Sequence, residues 1–130
     1  YVVSRIIKNM IASNIQPLHA RVLVLGLTFK ENCPDLRNTK VVDIIHELRT
    51  YGATVDVWDP WVDPAEARHE YGLELIEQPS RNSYDVAVIA VSHHQFRELG
   101  EDGIRAFGKP GSLIYDIKYL LPKDASDDRL

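Results

Sequence analysis

The densest set of reactive side chains lies in one stretch, residues 26–39, GLTFKENCPDLRNT. It holds Lys30 and Arg37 as cations, Glu31 and Asp35 as anions, the ring of Phe29, and Cys33, the single cysteine of the chain. A lysine offers a point charge and an arginine a planar fork, and both suit phosphate oxygens. Arg37 falls just ahead of a helical pattern, where backbone N–H groups favour anions. The two cations therefore have two readings: an anion site, or surface charges paired with Glu31 and Asp35, a kind of pair that contributes little. Phe29 can stack on a flat ring or fill core, and core is the better reading for an isolated aromatic. Cys33 has cations nearby to activate it, but a nucleophile also needs a base and no histidine is close in sequence. A small packing role suits it better.

Further along, Asp59 follows an apolar run, at the place where an acid in a dinucleotide fold would hold ribose hydroxyls. Pro60 follows it, which equally suits a turn. His93 and His94 are adjacent, so on extended backbone they point to opposite sides and do not share a metal easily. One of them can face a cleft; His19, His46 and His69 read as surface residues. No metal site is expected. Asp116-Ile117-Lys118 closes another apolar run and can present Lys118.

Residues of this kind need a scaffold, and the hydrophobic periodicity supplies one. Val3, Ile6, Ile7, Met10 and Ile11 form a helical stripe that Pro17 ends. The runs 21–27 and 84–92 are continuous and apolar, as in strands buried on both faces. Val41, Ile44, Ile45 and Leu48 repeat at helical spacing, with Asn38 or Thr39 as N-cap and Gly52 as C-terminal stop. Strands are also expected over 54–60, 73–77 and 112–118, helices over 63–72 and 95–107, and a helical turn near 79–83. The tail from Pro122 reads as polar and frayed. Strands alternating with helices predict an α/β fold: a Rossmann-like, doubly wound parallel sheet of about five strands with an extra N-terminal helix. In such a sheet, ligands bind beyond the carboxyl ends of the strands, where Phe29, Lys30, Arg37, His93 and Lys118 all fall.

The loop is nonetheless not the dinucleotide fingerprint. Counting from Gly26, Thr28 and Glu31 stand where the second and third glycines belong. A strand-to-helix connection is usually about 2–6 residues, and residues 28–38 are roughly twice that, so the segment carries function in side chains rather than in bare backbone.

The chain has 130 residues, enough for one domain with a real core. With 15 basic and 19 acidic side chains its net charge is -4, which argues against a nucleic-acid binder. An anionic small ligand would need locally focused cations. A lone cysteine suits a reducing cytoplasm, and no apolar stretch approaches the ~20 residues that span a membrane. The chain opens at Tyr1 inside a helical pattern and so reads as a piece of something longer.

Residues 21–45, RVLVLGLTFKENCPDLRNTKVVDII, resemble the C-terminal domain of the UDP-glucose/GDP-mannose dehydrogenase family. Those domains carry Gly-x-x-Phe-Lys, then an acid and an arginine, ahead of a helix; here these are Gly26, Phe29, Lys30, Asp35 and Arg37. The resemblance continues through DVWDPWV, YDVAVIAVSHHQF and SLIYDIK, and so covers nearly the whole chain. FKENCPDLRNT and WDPWVDP are most similar to the branch acting on UDP-N-acetyl-hexosamines for surface polysaccharides.

The resemblance implies the UDP-sugar-binding part of an NAD-dependent 6-dehydrogenase, which oxidises the C6 alcohol to a uronate with two NAD. Phe29 and Lys30 match the pair that contacts the UDP-sugar, and Arg37 the arginine that reaches NAD on the other domain. An arginine often follows the family's last strand; Lys118 is the nearest cation here, with Tyr119 at the arginine's place. Cys33 does not match the catalytic cysteine, so no catalytic residue is expected in this chain, which by itself should be inactive. The implied organisation is residues 1–16 as the end of a long inter-domain and dimerisation helix, 20–122 as the UDP-sugar-binding domain, and 123–130 as a polar tail. The implied partners are a UDP-sugar, NAD, the remaining regions of the polypeptide and a second copy in a homodimer. Two other readings stand beside this one, a nucleotide-sensing module without catalysis and a mainly structural dimerisation domain.

Overall fold

The computed structural model describes residues 1–129. Helix α1 (Val2–Ala12) precedes β1 (Arg21–Leu25), and α2 (Val41–Thr50), β2 (Thr54–Trp58) and α3 (Pro64–Tyr71) follow. Then come β3 (Tyr84–Ile89), α4 (His94–Arg105), β4 (Gly108–Asp116), a 3-10 turn (Lys123–Ala125) and β5 (Asp128–Arg129). The strands form one sheet in the order β2-β1-β3-β4-β5, parallel throughout. The chain winds outward from β1 to β2, then crosses back to β3 on the other side. The switch point therefore lies between β1 and β3, where sheets of this kind open a crevice at their carboxyl ends.

Period-two alternation sorts the strand residues onto two faces. Val22, Val24, Val86 and Val88 join Ile6, Met10, Ile45 and Leu48 in one core, under α1, α2 and α3. Leu23, Leu25, Ala87 and Ile89 meet Phe96, Ile104 and Phe107 in the other, under α4. Fully burying a side chain of this size contributes about 1.5–3 kcal/mol, so the two layers carry most of the stability. Helix α1 buries Val3, Ile6, Ile7 and Met10 as the stripe predicts, but Ile11 is 61% exposed. The helix ends one residue later, and Ile11 lies on the edge of its buried face.

The caps follow the residue types. Asp63 accepts the N–H of Ala65 with Pro64 in the first turn, and α3 ends at Gly72 in the left-handed region. Thr39 accepts the N–H of Val41 at 3.2 Å and so caps α2 from just outside it. Gly52, at φ +85, ends that helix where a Cβ would lie 2.5 Å from Leu18 Cδ1.

Four expectations are corrected. Residues 73–77 do not form a strand; only Leu75 bridges to Val57, and Pro79 just beyond cannot extend the ladder. No helical turn forms near 79–83, where Arg81 and Asn82 make a plain turn, Asn82 at φ 52. Strand β4 begins at Gly108 rather than 112, because the pairing shifts from Tyr84↔Gly108 to Val86↔Leu113 and the bulge absorbs Pro110 and Gly111. The tail is not frayed: Asp128 and Arg129 pair with Tyr115 and Asp116 as the fifth strand. Asp128 also binds Arg5 at 2.6 Å and Asn9 at 2.7 Å, which clamps the tail to α1. Helix α4, weak in sequence, is real over 94–105 but bends at Gly100, whose φ of 63 is non-helical.

Candidate functional site

The chain leaves β1 through Gly26, at φ +99, where an added Cβ would lie 2.6 Å from Val91 Cβ. The missing side chain lets this turn pack on the end of β3 rather than on a ligand. Leu27 and Thr28 are buried, and Phe29 then emerges at 56% exposure, so the expectation that it fills core is corrected. Residues 28–38 are sewn down at several points. The Thr39 hydroxyl donates to the Leu27 carbonyl at 2.7 Å, joining the ends of the loop. Phe29 N–H donates to the Asp35 carbonyl at 3.1 Å, closing the loop's neck. Leu36 is buried, and its carbonyl accepts the Tyr71 hydroxyl at 2.5 Å.

Asp59 supplies the next tie. Its Oδ2 accepts the N–H groups of Leu27 at 2.7 Å and Thr28 at 3.2 Å, and its Oδ1 accepts that of Trp61 at 2.8 Å. The same Oδ2 lies 2.9 Å from His93 Nε2. Both oxygens are thus engaged inside the protein. Of the two roles open to it in sequence, Asp59 takes the turn and adds a brace for the loop, and it is not available to a ribose.

The two histidines divide. His93 is fully buried and accepts the Asn32 N–H on Nδ1 at 2.9 Å. His94 is exposed and pairs with Glu98 at 3.3 Å. Cys33 is a half-buried free thiol with no hydrogen-bond partner among the described residues.

Past the carboxyl ends of β1, β3 and β4 a cleft of about 190 Å³ opens, with Thr28, Ala90 and Ile117 in its floor and Phe29, Lys40 and Lys118 around it. Lys118 is placed by Asp116, a buried carboxylate that accepts the N–H groups of Leu120 at 3.1 Å and Leu121 at 2.9 Å. These bonds fold the chain back on itself, through Tyr119 at φ 55, and leave Lys118 exposed. Neither Lys40 nor Lys118 makes an ion pair among the described residues. Lys40 and Ile44 also border a second depression of about 330 Å³ that reaches Tyr1 and Val2, so the cleft continues toward the start of α1.

The structure therefore brings Phe29 and Lys118 to one cleft, with Lys30 exposed beside Phe29. Arg37 lies elsewhere. Its guanidinium binds both oxygens of Asp35, at 3.0 and 3.1 Å, and borders a separate depression with Glu66 and Glu70. The side chain is still 87% exposed. Hydrogen bonds from the Arg37 side chain and N–H hold the Asp35 carboxyl below its ordinary range. Sequence reasoning missed Lys40. Its signal was position: it stands at the first turn of the helix that follows the loop, which places it over the edge of the sheet.

An exposed ring beside unpaired cations can stack on a base and bind a phosphate chain. Comparison with known proteins points the same way. The profile of the UDP-glucose/GDP-mannose dehydrogenase family, UDP binding domain, matches residues 23–123. UDP-N-acetyl-D-glucosamine 6-dehydrogenase of Pseudomonas aeruginosa is 53% identical over 130 residues, all of this chain and 31% of that protein. The protein of the same description from Salmonella typhi is 47% identical over the same span, again 31% of its length. The chain thus spans about a third of the curated relatives it matches. Among solved structures, the UDP-D-ManNAc dehydrogenase of Pyrococcus horikoshii superposes with a TM-score of 0.78 at 20% identity, over 98% of this chain and 29% of that one. A UDP-glucose dehydrogenase from Pyrobaculum islandicum gives 0.76 at 24%, over 99% and 28%. At these identities the structures speak for the fold.

Proposed function

We propose, since this chain belongs to the UDP-glucose/GDP-mannose dehydrogenase family and is its UDP-binding domain, that it binds the nucleotide sugar in a full-length 6-dehydrogenase of UDP-N-acetyl-hexosamines. The whole enzyme would oxidise the C6 alcohol to a carboxylate, passing two hydrides to two NAD. It would work as a homodimer in the cytoplasm and supply precursors for surface polysaccharide. Within it, residues 1–16 would end the inter-domain helix, 20–122 form the binding domain and 123–130 its tail.

One observation carries this reading: an exposed aromatic ring and two unpaired lysines around a single cleft at the carboxyl ends of the strands. Phe29 would lie against the base, and Lys30, Lys40 and Lys118 would neutralise the diphosphate. In a protein of net charge -4 such local focusing of cations favours a dianion.

The turn after β1 does not fit NAD. Thr28 and Glu31 replace two fingerprint glycines, Gly26 is closed off by Val91, and the Asp59 carboxylate is engaged by backbone. NAD would rest on the remainder of the polypeptide, with Arg37 as the residue of this chain that reaches it. No step of the oxidation is assigned to residues of this chain; their part is to bind and orient the sugar nucleotide.

Steady-state kinetics of the full-length enzyme test the reading. Lys118→Ala should raise the KM for the UDP-sugar about tenfold, the scale of one charge-assisted hydrogen bond, with KM for NAD unchanged. Unchanged KM for the sugar in both Lys118→Ala and Phe29→Ala would overturn it.

A further inference from the structure

The His93 ring contacts the cleft-bearing loop from behind, and its hydrogen bonds fix which hydrogen sits where. The Asn32 N–H can only donate, so Nδ1, 2.9 Å away, must present its lone pair. The hydrogen is then on Nε2, which faces Asp59 Oδ2 at 2.9 Å and Thr28 Oγ1 at 3.2 Å. Thr28 in turn donates its hydroxyl hydrogen to the Lys30 carbonyl at 2.9 Å, so its oxygen is free to accept. A second tie comes from the next residue, where His94 N–H donates to Asn32 Oδ1 at 2.8 Å. Asn32 reaches both because it stands at φ 54, in the left-handed region that asparagine tolerates. The ring is sealed from water between Phe96, at 5.4 Å between centroids, and Trp61, at 6.2 Å.

Every hydrogen bond of this ring ends on the corner 28–32 or on the carboxylate that braces it. Between those ends stand Phe29 and Lys30, which make no ion pair or ring contact of their own among the described residues. Their placement comes from the backbone on either side. The ring thereby joins the start of α4 to residues 61 and 65 positions away.

We infer that His93 is a positioning residue for the nucleotide-sugar cleft: through Nδ1 it holds the Asn32 amide, and through Nε2 the Thr28–Asp59 corner, so that Phe29 and Lys30 are presented to the ligand. The inference rests on the functional reading above for the identity of the ligand, and not for the existence of the link. It calls for no chemistry at His93, which touches no substrate.

Two conservative variants separate the ring's two ends. In His93→Asn the side-chain oxygen falls near the Nδ1 position and still accepts the Asn32 N–H, while the link to Asp59 is lost. In His93→Gln the amide nitrogen still reaches Asp59, and the Asn32 N–H loses its acceptor. Hydrogen exchange of the full-length enzyme, resolved to single amides by mass spectrometry, reads the link without ligand. His93→Gln should speed exchange at Asn32 about tenfold or more, with Val24 and Ile45 unchanged, and His93→Asn should keep Asn32 protected. In kinetics, His93→Gln should raise the KM for the UDP-sugar several-fold with little change in kcat or in KM for NAD, and His93→Asn should restore most of the loss. Equal Asn32 exchange in the wild type and His93→Gln, or a KM for the UDP-sugar in His93→Gln equal to that of the wild type, overturns the inference. Absence of UDP-sugar binding by the wild type would instead overturn the functional reading, and the exchange result would still decide the link.

Discussion

Asp59 Oδ2 accepts the Leu27 N–H at 2.7 Å, so the carboxylate that ends β2 holds the first residue past the turn after β1. The bond runs between neighbouring strands, and it turns a residue type associated with ribose recognition into internal scaffolding. The same carboxylate takes the N–H groups of Thr28 and Trp61. Asp59→Ala leaves these donors buried without an acceptor and should destabilise by about 3 kcal/mol or more. Asp59→Asn keeps one acceptor oxygen but turns an NH2 group toward an N–H, and should lose roughly half as much. Urea denaturation followed by circular dichroism measures both. Wild-type stability in the alanine variant would show that the brace contributes nothing.

Lys40 and Lys118 border one cleft from different elements, the start of α2 and the loop after β4. Both would meet the same diphosphate, so their effects should be coupled rather than independent. In the full-length enzyme each single alanine variant should weaken UDP binding about tenfold, and the double variant more than either single one. The salt dependence of the affinity should flatten as each charge is removed. Calorimetry at several ionic strengths checks this. An unaffected Lys40→Ala would assign the cleft's charge to Lys118 and Lys30 alone.

Arg37 is bound to Asp35 and exposed, away from the cleft that holds Phe29. If it reaches the cofactor, Arg37→Ala should raise the KM for NAD by more than that for the UDP-sugar. Asp35→Asn should leave the arginine in place with a weaker tether and have the smaller effect. A larger change in the sugar's KM would reverse the assignment of the two ends of the loop.

The clamp between Asp128 and α1 should be sensitive to acid. Burial pushes the Asp128 carboxyl up, but hydrogen bonds from Asn9, the Arg129 N–H and Arg5 outweigh it and hold the group below its ordinary 3.8. With the folded value below the unfolded one, the ionised clamp stabilises above about pH 4, and that stability is lost as pH falls through the lowered folded value. Asp128→Asn should reduce the midpoint of thermal unfolding near pH 7 by about 4 °C, and the gap from wild type should close as the pH falls through the lowered folded value. A gap that persists in acid would mean that packing of the tail, rather than charge, is what the substitution disturbs.

Residues 22–25 and 86–89 are apolar without interruption, and such runs announce buried parallel strands from sequence alone. The spacing of Val41, Ile45 and Leu48 does the same for α2. With those elements placed, topology puts Phe29 and Lys118 at the same end of the sheet, so this pairing was legible before any contact was known. The fifth strand was not. Asp128 and Arg129 have no strand pattern of their own, and they are ordered by bonds to residues more than a hundred positions away. The role of His93 was hidden for a similar reason, since its partners Thr28, Asn32 and Asp59 are scattered along the chain and no local period joins them. Residues 73–77 failed in the opposite sense: the local pattern was right for a strand, but only Leu75 bridges to Val57 at the edge of the sheet.

The hydrogen bond from Thr39 to the Leu27 carbonyl closes residues 28–38 into a ring that is complete once the domain has folded. Fixing a backbone residue costs about 1–2 kcal/mol in conformational entropy. For this segment the sum is on the order of 10 kcal/mol, and it falls on folding rather than on the encounter with a nucleotide. A ligand that arrives at Phe29 meets a backbone with little freedom left to lose, so the ordering that remains falls on the exposed side chains alone.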